Sequence, residues 1–331
     1  MACGSSAVPL PEIVEQYLYY QPSNFPEPAY DFSKNPVTEE GFELGKALFY
    51  DGKLSRDNTI SCAECHSQPY AFTHHGHTLS HGIDDKIGKR NAPPIQNMAF
   101  QNRFFWDGGV FDLDLFSVSP ITNPVEMDEQ LGNVLQKLRD TPGYPEKFEA
   151  AFGSKEITTE RFLKALSQFM NSLVSANAPY DKYIRGEGSL SDKELSGLRI
   201  YQTNCASCHA SDLFTDHSFR NNGLEVYERD PDLGRFIITE NPADIYKFKV
   251  PSLRNVQYTA PYMHDGRFNT LKAVIEHYST GVKDSETLDP LLKNGSNLGI
   301  ALTAAEKEDL LAFLYALSDE SFIKNPKYAA P

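Results

Sequence analysis

Two pentapeptides constrain this chain more than anything else in it: Cys62-Ala-Glu-Cys65-His66 and Cys205-Ala-Ser-Cys208-His209, 143 residues apart. C-x-x-C-H is the attachment signal for c-type haem, in which two thiols bond the porphyrin vinyl groups and the histidine sits under the iron. A zinc site drawing on both cysteine pairs, or a redox C-x-x-C, would use the same thiols. Neither requires a histidine immediately after each pair. The frames therefore predict two covalently bound haem c groups, held by Cys62, Cys65 and His66 and by Cys205, Cys208 and His209.

The surroundings of the frames repeat as well. Gly45-Lys-Ala-Leu-Phe49 and Gly197-Leu-Arg-Ile-Tyr201 both place Gly-x-x-apolar-aromatic on a helix that leads into a frame. Downstream, Pro93-x-x-x-Asn97 precedes Asp107-Gly108 as Pro251-x-x-x-Asn255 precedes Asp265-Gly266. Such a match points to duplication. The 331 residues are enough for two domains. Between the frames, Gly186-Glu-Gly-Ser-Leu reads as a linker, and Ser191-Asp-Lys-Glu194 as a capping box opening the next helix. Thr159 to Ser175 carries Phe162, Leu166, Phe169 and Leu173 at helical spacing. Thr303-Ala-Ala-Glu306 caps a further helix containing Leu310, Phe313, Leu314 and Leu317. No alternating pattern marks a large sheet, so the expected fold is mainly α: two cytochrome c-like domains, each enclosing one haem, with long loops.

Thirty-one basic residues against 45 acidic ones leave a net charge of −14, which repels a phosphate backbone and argues against nucleic acid as a partner. No stretch approaches the roughly 18 apolar residues of a membrane helix. The fifth cysteine, Cys3, lies in Ala-Cys-Gly-Ser-Ser, which resembles the lipid-modified cysteine of a bacterial lipoprotein. Because c-type haem is attached in the bacterial periplasm, an export signal is expected in the natural protein, and Met1 is expected to begin a trimmed chain. Pro9, Pro11, Pro22, Pro26, Pro28 and Pro36 make the segment before residue 37 an extended arm.

Further motifs carry a family resemblance over residues 37 to 320: Arg90-Asn91-Ala-Pro93, Phe105-Trp106-Asp107-Gly108, Asn123-Pro124-Val-Glu126-Met127, Leu253-Arg254-Asn255 and Pro261-Tyr-Met-His264-Asp-Gly. With the two frames, they make the chain resemble the bacterial dihaem cytochrome c peroxidases and the MauG proteins. The resemblance implies an N-terminal tether and arm over 1–36, a peroxidatic haem domain over 37–185 and an electron-transfer haem domain over 186–331. It assigns acid–base catalysis to Glu126 and electron transfer between the haems to Trp106. It also implies a calcium ion bound by Asn91, Thr259 and Pro261. Where the family often has a glutamine ten residues before the catalytic glutamate, this chain has Phe116, which puts a second polar contact in doubt.

The sixth iron ligands divide the labour. His74, His75, His77 and His81 cluster in one loop. His81 matches the family histidine that caps the peroxidatic iron at rest, whereas the other three read as ordinary loop histidines. For the second haem the resemblance points to Tyr278, with Met263 as the alternative. Helical spacing puts Leu271, Val274, Ile275 and Tyr278 on one face and His277 off it. The resemblance thus implies an enzyme, a periplasmic cytochrome-c peroxidase reducing hydrogen peroxide to water with electrons from a small cytochrome c or copper protein. It further implies a homodimer, membrane-anchored if Cys3 is lipidated. The alternatives are a MauG-like oxidase acting on a partner protein's side chain, which Tyr278 favours, and a pure dihaem electron carrier.

Overall fold

The computed structural model of the chain describes residues 19–227 and 229–331; Cys3 and the expected tether around it lie outside the described residues. The described chain is predominantly helical. In order, the helices are α1 (Glu39–Phe49), α2 (Cys62–Cys65), α3 (Val118–Thr122), α4 (Leu131–Asp140), α5 (Tyr144–Phe152), α6 (Thr159–Ser172), α7 (Pro179–Ile184), α8 (Asp192–Asn204), α9 (Phe236–Thr239), α10 (Leu271–Glu276), α11 (Ala304–Tyr315) and α12 (Glu320–Ile323). Strands are confined to two small antiparallel pairs, β1 (Phe219–Arg220) with β2 (Phe248–Lys249) and β3 (Lys293–Asn294) with β4 (Asn297–Leu298). Among the described residues no helix is long and apolar enough to cross a membrane.

The sequence repeats are structural repeats. Both glycines of the Gly-x-x-apolar-aromatic motif lie where two helices cross. A methyl group on Gly45 of α1 would come within 2.0 Å of the Ala165 carbonyl oxygen on α6, and one on Gly197 of α8 within 2.0 Å of the Asp309 carbonyl oxygen on α11. Only glycine permits so close an approach. Each crossing is then filled by an aromatic triad. Phe49, Phe72 and Phe169 have ring centroids 5.0 to 6.3 Å apart. Tyr201, Phe214 and Phe313 repeat the arrangement at 5.1 to 6.1 Å. Such pairs add about 0.5–1.5 kcal/mol each beyond their area burial. The expected capping boxes close as read: the Ser191 amide donates to Glu194 and the Thr303 amide to Glu306, at 2.6 and 2.8 Å.

The loops repeat too. Asn97 and Asn255 both adopt left-handed backbone, at φ 54° and 58°, a region that asparagine enters more readily than most residues. Each opens a single 3-10 turn. The Phe104 amide donates to Val110 at 2.8 Å, and the Tyr262 amide donates to Phe268 at 2.7 Å. The two asparagines also meet at Ser175, where Asn97 Nδ2 donates to the carbonyl at 3.1 Å and Asn255 Nδ2 donates to Oγ at 2.8 Å.

Hydrophobic packing divides the molecule into two main clusters, and it does not follow the sequence order expected from the linker. Tyr180 packs with the second cluster, while Phe322 and Tyr328 return to the first. The Tyr328 hydroxyl donates to the Ser172 carbonyl at 2.8 Å, and the Tyr50 hydroxyl donates to the Tyr328 carbonyl at 2.7 Å. A third, smaller cluster joins Phe25 of the arm to Ala99, Phe100, Ala176 and Leu213. Beneath Phe25 lies a buried ion pair. Arg254 donates to both carboxylate oxygens of Asp181 at 2.7 and 2.8 Å, and its guanidinium is 4.4 Å from the Phe25 ring centre.

Candidate functional site

Each C-x-x-C-H frame folds as one helical turn, with the histidine amide donating back to the first cysteine's carbonyl at 2.9 Å in both copies. His66 Nδ1 lies 2.9 Å from the Phe72 carbonyl oxygen; His209 Nδ1 lies 3.2 Å from that of Phe214 and 3.1 Å from that of Pro251. Phe72 and Phe214 present those carbonyls from left-handed backbone, at φ 58° and 55°. A ring that donates through Nδ1 keeps its lone pair on Nε2, as a metal-ligating histidine does. Burial favours the same neutral form: it pushes the His66 pKa down to about 4 and lowers that of His209.

Burial also pushes the thiols up, Cys62 and Cys205 to about 12 and Cys65 to about 11. The pairs open onto separate cavities, one of about 1020 Å³ lined by Cys65 and His66 and one of about 230 Å³ lined by Cys205, Cys208 and His209. They do not converge on four sulfurs. Among the described residues no group of three or more His, Cys, Asp or Glu side chains is arranged to hold a metal ion. A pair of cysteines, a histidine oriented by a carbonyl and a mostly apolar cavity fit a covalently attached porphyrin at each frame.

Glu126 lines the same cavity as His66. Asn123 Nδ2 donates to its Oε1 at 2.6 Å, and burial raises its pKa, outweighing that hydrogen bond. The Ile83 amide donates to the Glu126 carbonyl at 2.7 Å, so the segment is fastened to the loop that carries His81. This approach is close enough to demand Gly82, where a methyl group would fall 2.2 Å from the Val125 carbonyl oxygen. Phe116 stands in the same wall, stacked on Phe105 at 4.8 Å and 13°, so that an apolar ring adjoins the carboxyl. His81 lines a smaller adjoining cavity with His66 and Glu126, but its imidazole is half-exposed and held by Asp85 through Nδ1 at 2.5 Å. His74 departs from the expectation of an exposed loop histidine. It is buried, with Nε2 3.0 Å from His77 Nδ1. His75 stacks on Tyr70 at 3.8 Å.

The wall opposite His209 is different. Leu271, Val274, Ile275 and Tyr278 all line the cavity, as one helical face. Tyr278 belongs to a π-helical turn, His277–Gly281, that continues α10; such turns recur at functional sites. His277 turns aside, its Nε2 3.0 Å from the Asn222 carbonyl oxygen. Met263 lines the same cavity, and Asn222 Nδ2 lies 3.4 Å from both Met263 Sδ and Tyr278 Oη. One amide thus stands between the two candidate ligands. Burial pushes the Tyr278 phenol up to about 12.

Between the frames, Trp106 lines both cavities, and its Nε1–H donates to the Asn91 carbonyl at 2.8 Å. Asn91, Thr259 and Pro261 are brought together beside it. Asn91 Nδ2 is 2.5 Å from the Pro261 carbonyl oxygen, while its Oδ1 is buried without a hydrogen-bond partner. Turning that amide would set Oδ1 beside the Pro261 oxygen, a pair of oxygens that suits a hard cation. Sequence reading missed several parts of this joint. Phe248 stacks on His264 at 3.7 Å and 11°, and Arg90 clamps Asp232 through two hydrogen bonds at 2.6 and 2.8 Å while also donating to Asp107 at 2.5 Å. Asn222 was missed too. These partners lie far apart in the chain and form no spacing pattern.

Comparison with known proteins adds independent findings. A family model described as di-haem cytochrome c peroxidase matches residues 39–189. The methylamine utilization protein MauG of Methylorubrum extorquens is 36% identical over 306 residues, covering 91% of this chain and 84% of its own. The cytochrome c551 peroxidase of Nitrosomonas europaea is 36% identical over 245 residues, 73% of each chain. Among solved structures, a MauG-like protein associated with microbial copper homeostasis superposes with a TM-score of 0.85 at 35% identity, covering 94% of this chain and 98% of its own.

Proposed function

Because this chain belongs to the di-haem cytochrome c peroxidase and MauG family, an oxidoreductase family whose members carry two haem c groups, we propose that it reduces hydrogen peroxide to water. Electrons come from a small periplasmic cytochrome c or copper protein. When bound, the haems supply iron that takes up peroxide at one frame and stores and passes electrons at the other. Everything else falls to the chain, read as two cytochrome c-like domains. His66 and His209 would hold the irons, and Cys62, Cys65, Cys205 and Cys208 the porphyrins. Trp106 spans the space between.

The observation that carries this reading is Glu126, a buried carboxyl with a raised pKa in the His66 cavity. Splitting peroxide needs a group that takes a proton from one oxygen and returns it to the other. Glu126 is oriented for this by Asn123, and the apolar Phe116 beside it excludes water. Two electrons and two protons then convert one peroxide into two waters. A bare carrier would have no use for a buried acid there. His81 would hold the His66 iron at rest, and its hydrogen bond to Asp85 would keep it aside when the site is open. Calcium at Asn91, Thr259 and Pro261 would satisfy the orphaned Asn91 oxygen. A periplasmic location, a lipid anchor on Cys3 and a homodimer complete the proposal.

Tyr278 favours a second reading, a MauG-like oxidase that draws electrons from a partner protein's side chain, since an anionic oxygen ligand lowers a haem potential whereas methionine raises it. A steady-state assay with peroxide and reduced cytochrome c tests the first reading. Sustained turnover is expected. Negligible turnover with a long-lived oxidised state would replace it by the second.

A further inference from the structure

Lys249 is a largely buried cation with no acid to answer it. It sits on β2, where its amide donates to the Trp106 carbonyl at 2.7 Å. Its strand neighbour Phe248 is engaged with His264, whereas Lys249 Nζ donates to Gln101 Oε1. With Trp106, Pro251 and Ser252 it lines both the His209 cavity and a pocket of about 60 Å³ beside it. Burial lowers the ammonium's pKa to about 7, and no acidic group among the described residues offsets this. His217, on the wall of the small pocket, has a buried Nδ1 without a hydrogen-bond partner.

This is out of character for the molecule. Two buried cations elsewhere among the described residues are matched: Arg254 by Asp181, and Arg90 by Asp232 and Asp107. A single amide oxygen is a poor substitute for a carboxylate, since a buried charge is costly unless it is both paired and hydrogen-bonded. A chain that keeps such a lysine with no carboxylate beside it, on the wall of a pocket where the His217 ring nitrogen lacks a hydrogen bond, has left room for an anion. Haem c brings one, because its edge carries two propionate carboxylates.

We infer that Lys249 is the counter-cation for a propionate of the haem held at His209, with the His217 ring as a second donor. Lys249 is then a positioning residue. It fixes the edge of that haem against Trp106, and its charge makes reduction of the iron easier by cancelling the carboxylate's.

The inference rests on a haem at His209, as in the proposed function, and its test is a potential rather than an activity. In the holoprotein, Lys249→Met and Lys249→Gln are expected to lower the midpoint potential of the His209 haem by at least a tenfold change in its one-electron equilibrium, about 59 mV. Lys249→Arg should restore most of the difference, and His217→Phe should give a smaller shift of the same sign. Lys249→Gln keeps a polar amide, and carries the test if the methionine variant does not accumulate. An unmoved His209 potential in the neutral variants overturns the inference. So does a shift confined to the His66 haem, or one shared equally by both. A parent protein with only one haem per chain by pyridine haemochrome assay would instead overturn the reading on which it rests.

Discussion

Behind His66 and behind His209 the chain builds the same thing, a glycine-mediated helix crossing, an aromatic triad and a carbonyl that orients the ring; in front of them it builds different things. The His66 side faces a large cavity with a buried carboxyl. The His209 side faces a phenol and a thioether that share one amide. The supports are alike where any change would disturb close packing. The cavity walls differ where a side chain can alter chemistry without altering the fold. On the function proposed above, a single fold would hold one site open to a small oxidant and another suited to relaying electrons.

The sharpest way to break this contrast is to remove Glu126. Glu126→Ala is expected to slow peroxide turnover by about 10²–10⁴-fold, the usual contribution of a positioned acid–base group, while both haem bands persist. An unchanged rate constant in stopped-flow would take Glu126 out of the mechanism. Its titration gives a second handle. Because burial raises its pKa in the folded state, the protein should lose stability as pH rises through that raised value, and the full contribution should be present below the ordinary glutamate range. The advantage of Glu126→Gln over the parent in denaturant melts should therefore grow from acid to neutral pH. A pH-independent difference would count against the buried, raised carboxyl.

Next in size is the joint between the halves. Asp181→Ala leaves Arg254 buried and unpaired, which is expected to cost about 3–5 kcal/mol in chemical denaturation. A loss under 1 kcal/mol would show that the pair is not what holds the arm and the second cluster together. The two supports can then be compared directly: Gly45→Ala and Gly197→Ala should each cost about 1–3 kcal/mol, because each methyl meets a helix carbonyl. Unequal losses would mean that the two crossings are less alike than their geometry. The smallest energetic change, yet a diagnostic one, is Tyr278→Phe. If Tyr278 ligates the second iron, EPR should show the His209 haem turning high-spin, with Met263→Leu silent. The reverse pattern would make Met263 the ligand.

The sequence by itself determined whatever depends on short spacing: the two frames, the glycine motifs, the capping boxes at Ser191 and Thr303, and the face of α10 that carries Tyr278. Each is a local rule of helix geometry or covalent attachment, legible within about a dozen residues. Only the tertiary structure decided the pairings across long separations. It returned Phe322 and Tyr328 to the first cluster, joined Arg254 to Asp181 beneath Phe25, buried His74, left Asn91 Oδ1 without a hydrogen bond, and gave Lys249 an amide rather than a carboxylate as its partner. Such contacts follow from how surfaces close on one another, and residues far apart in the chain carry no periodic signal of which partner they will meet.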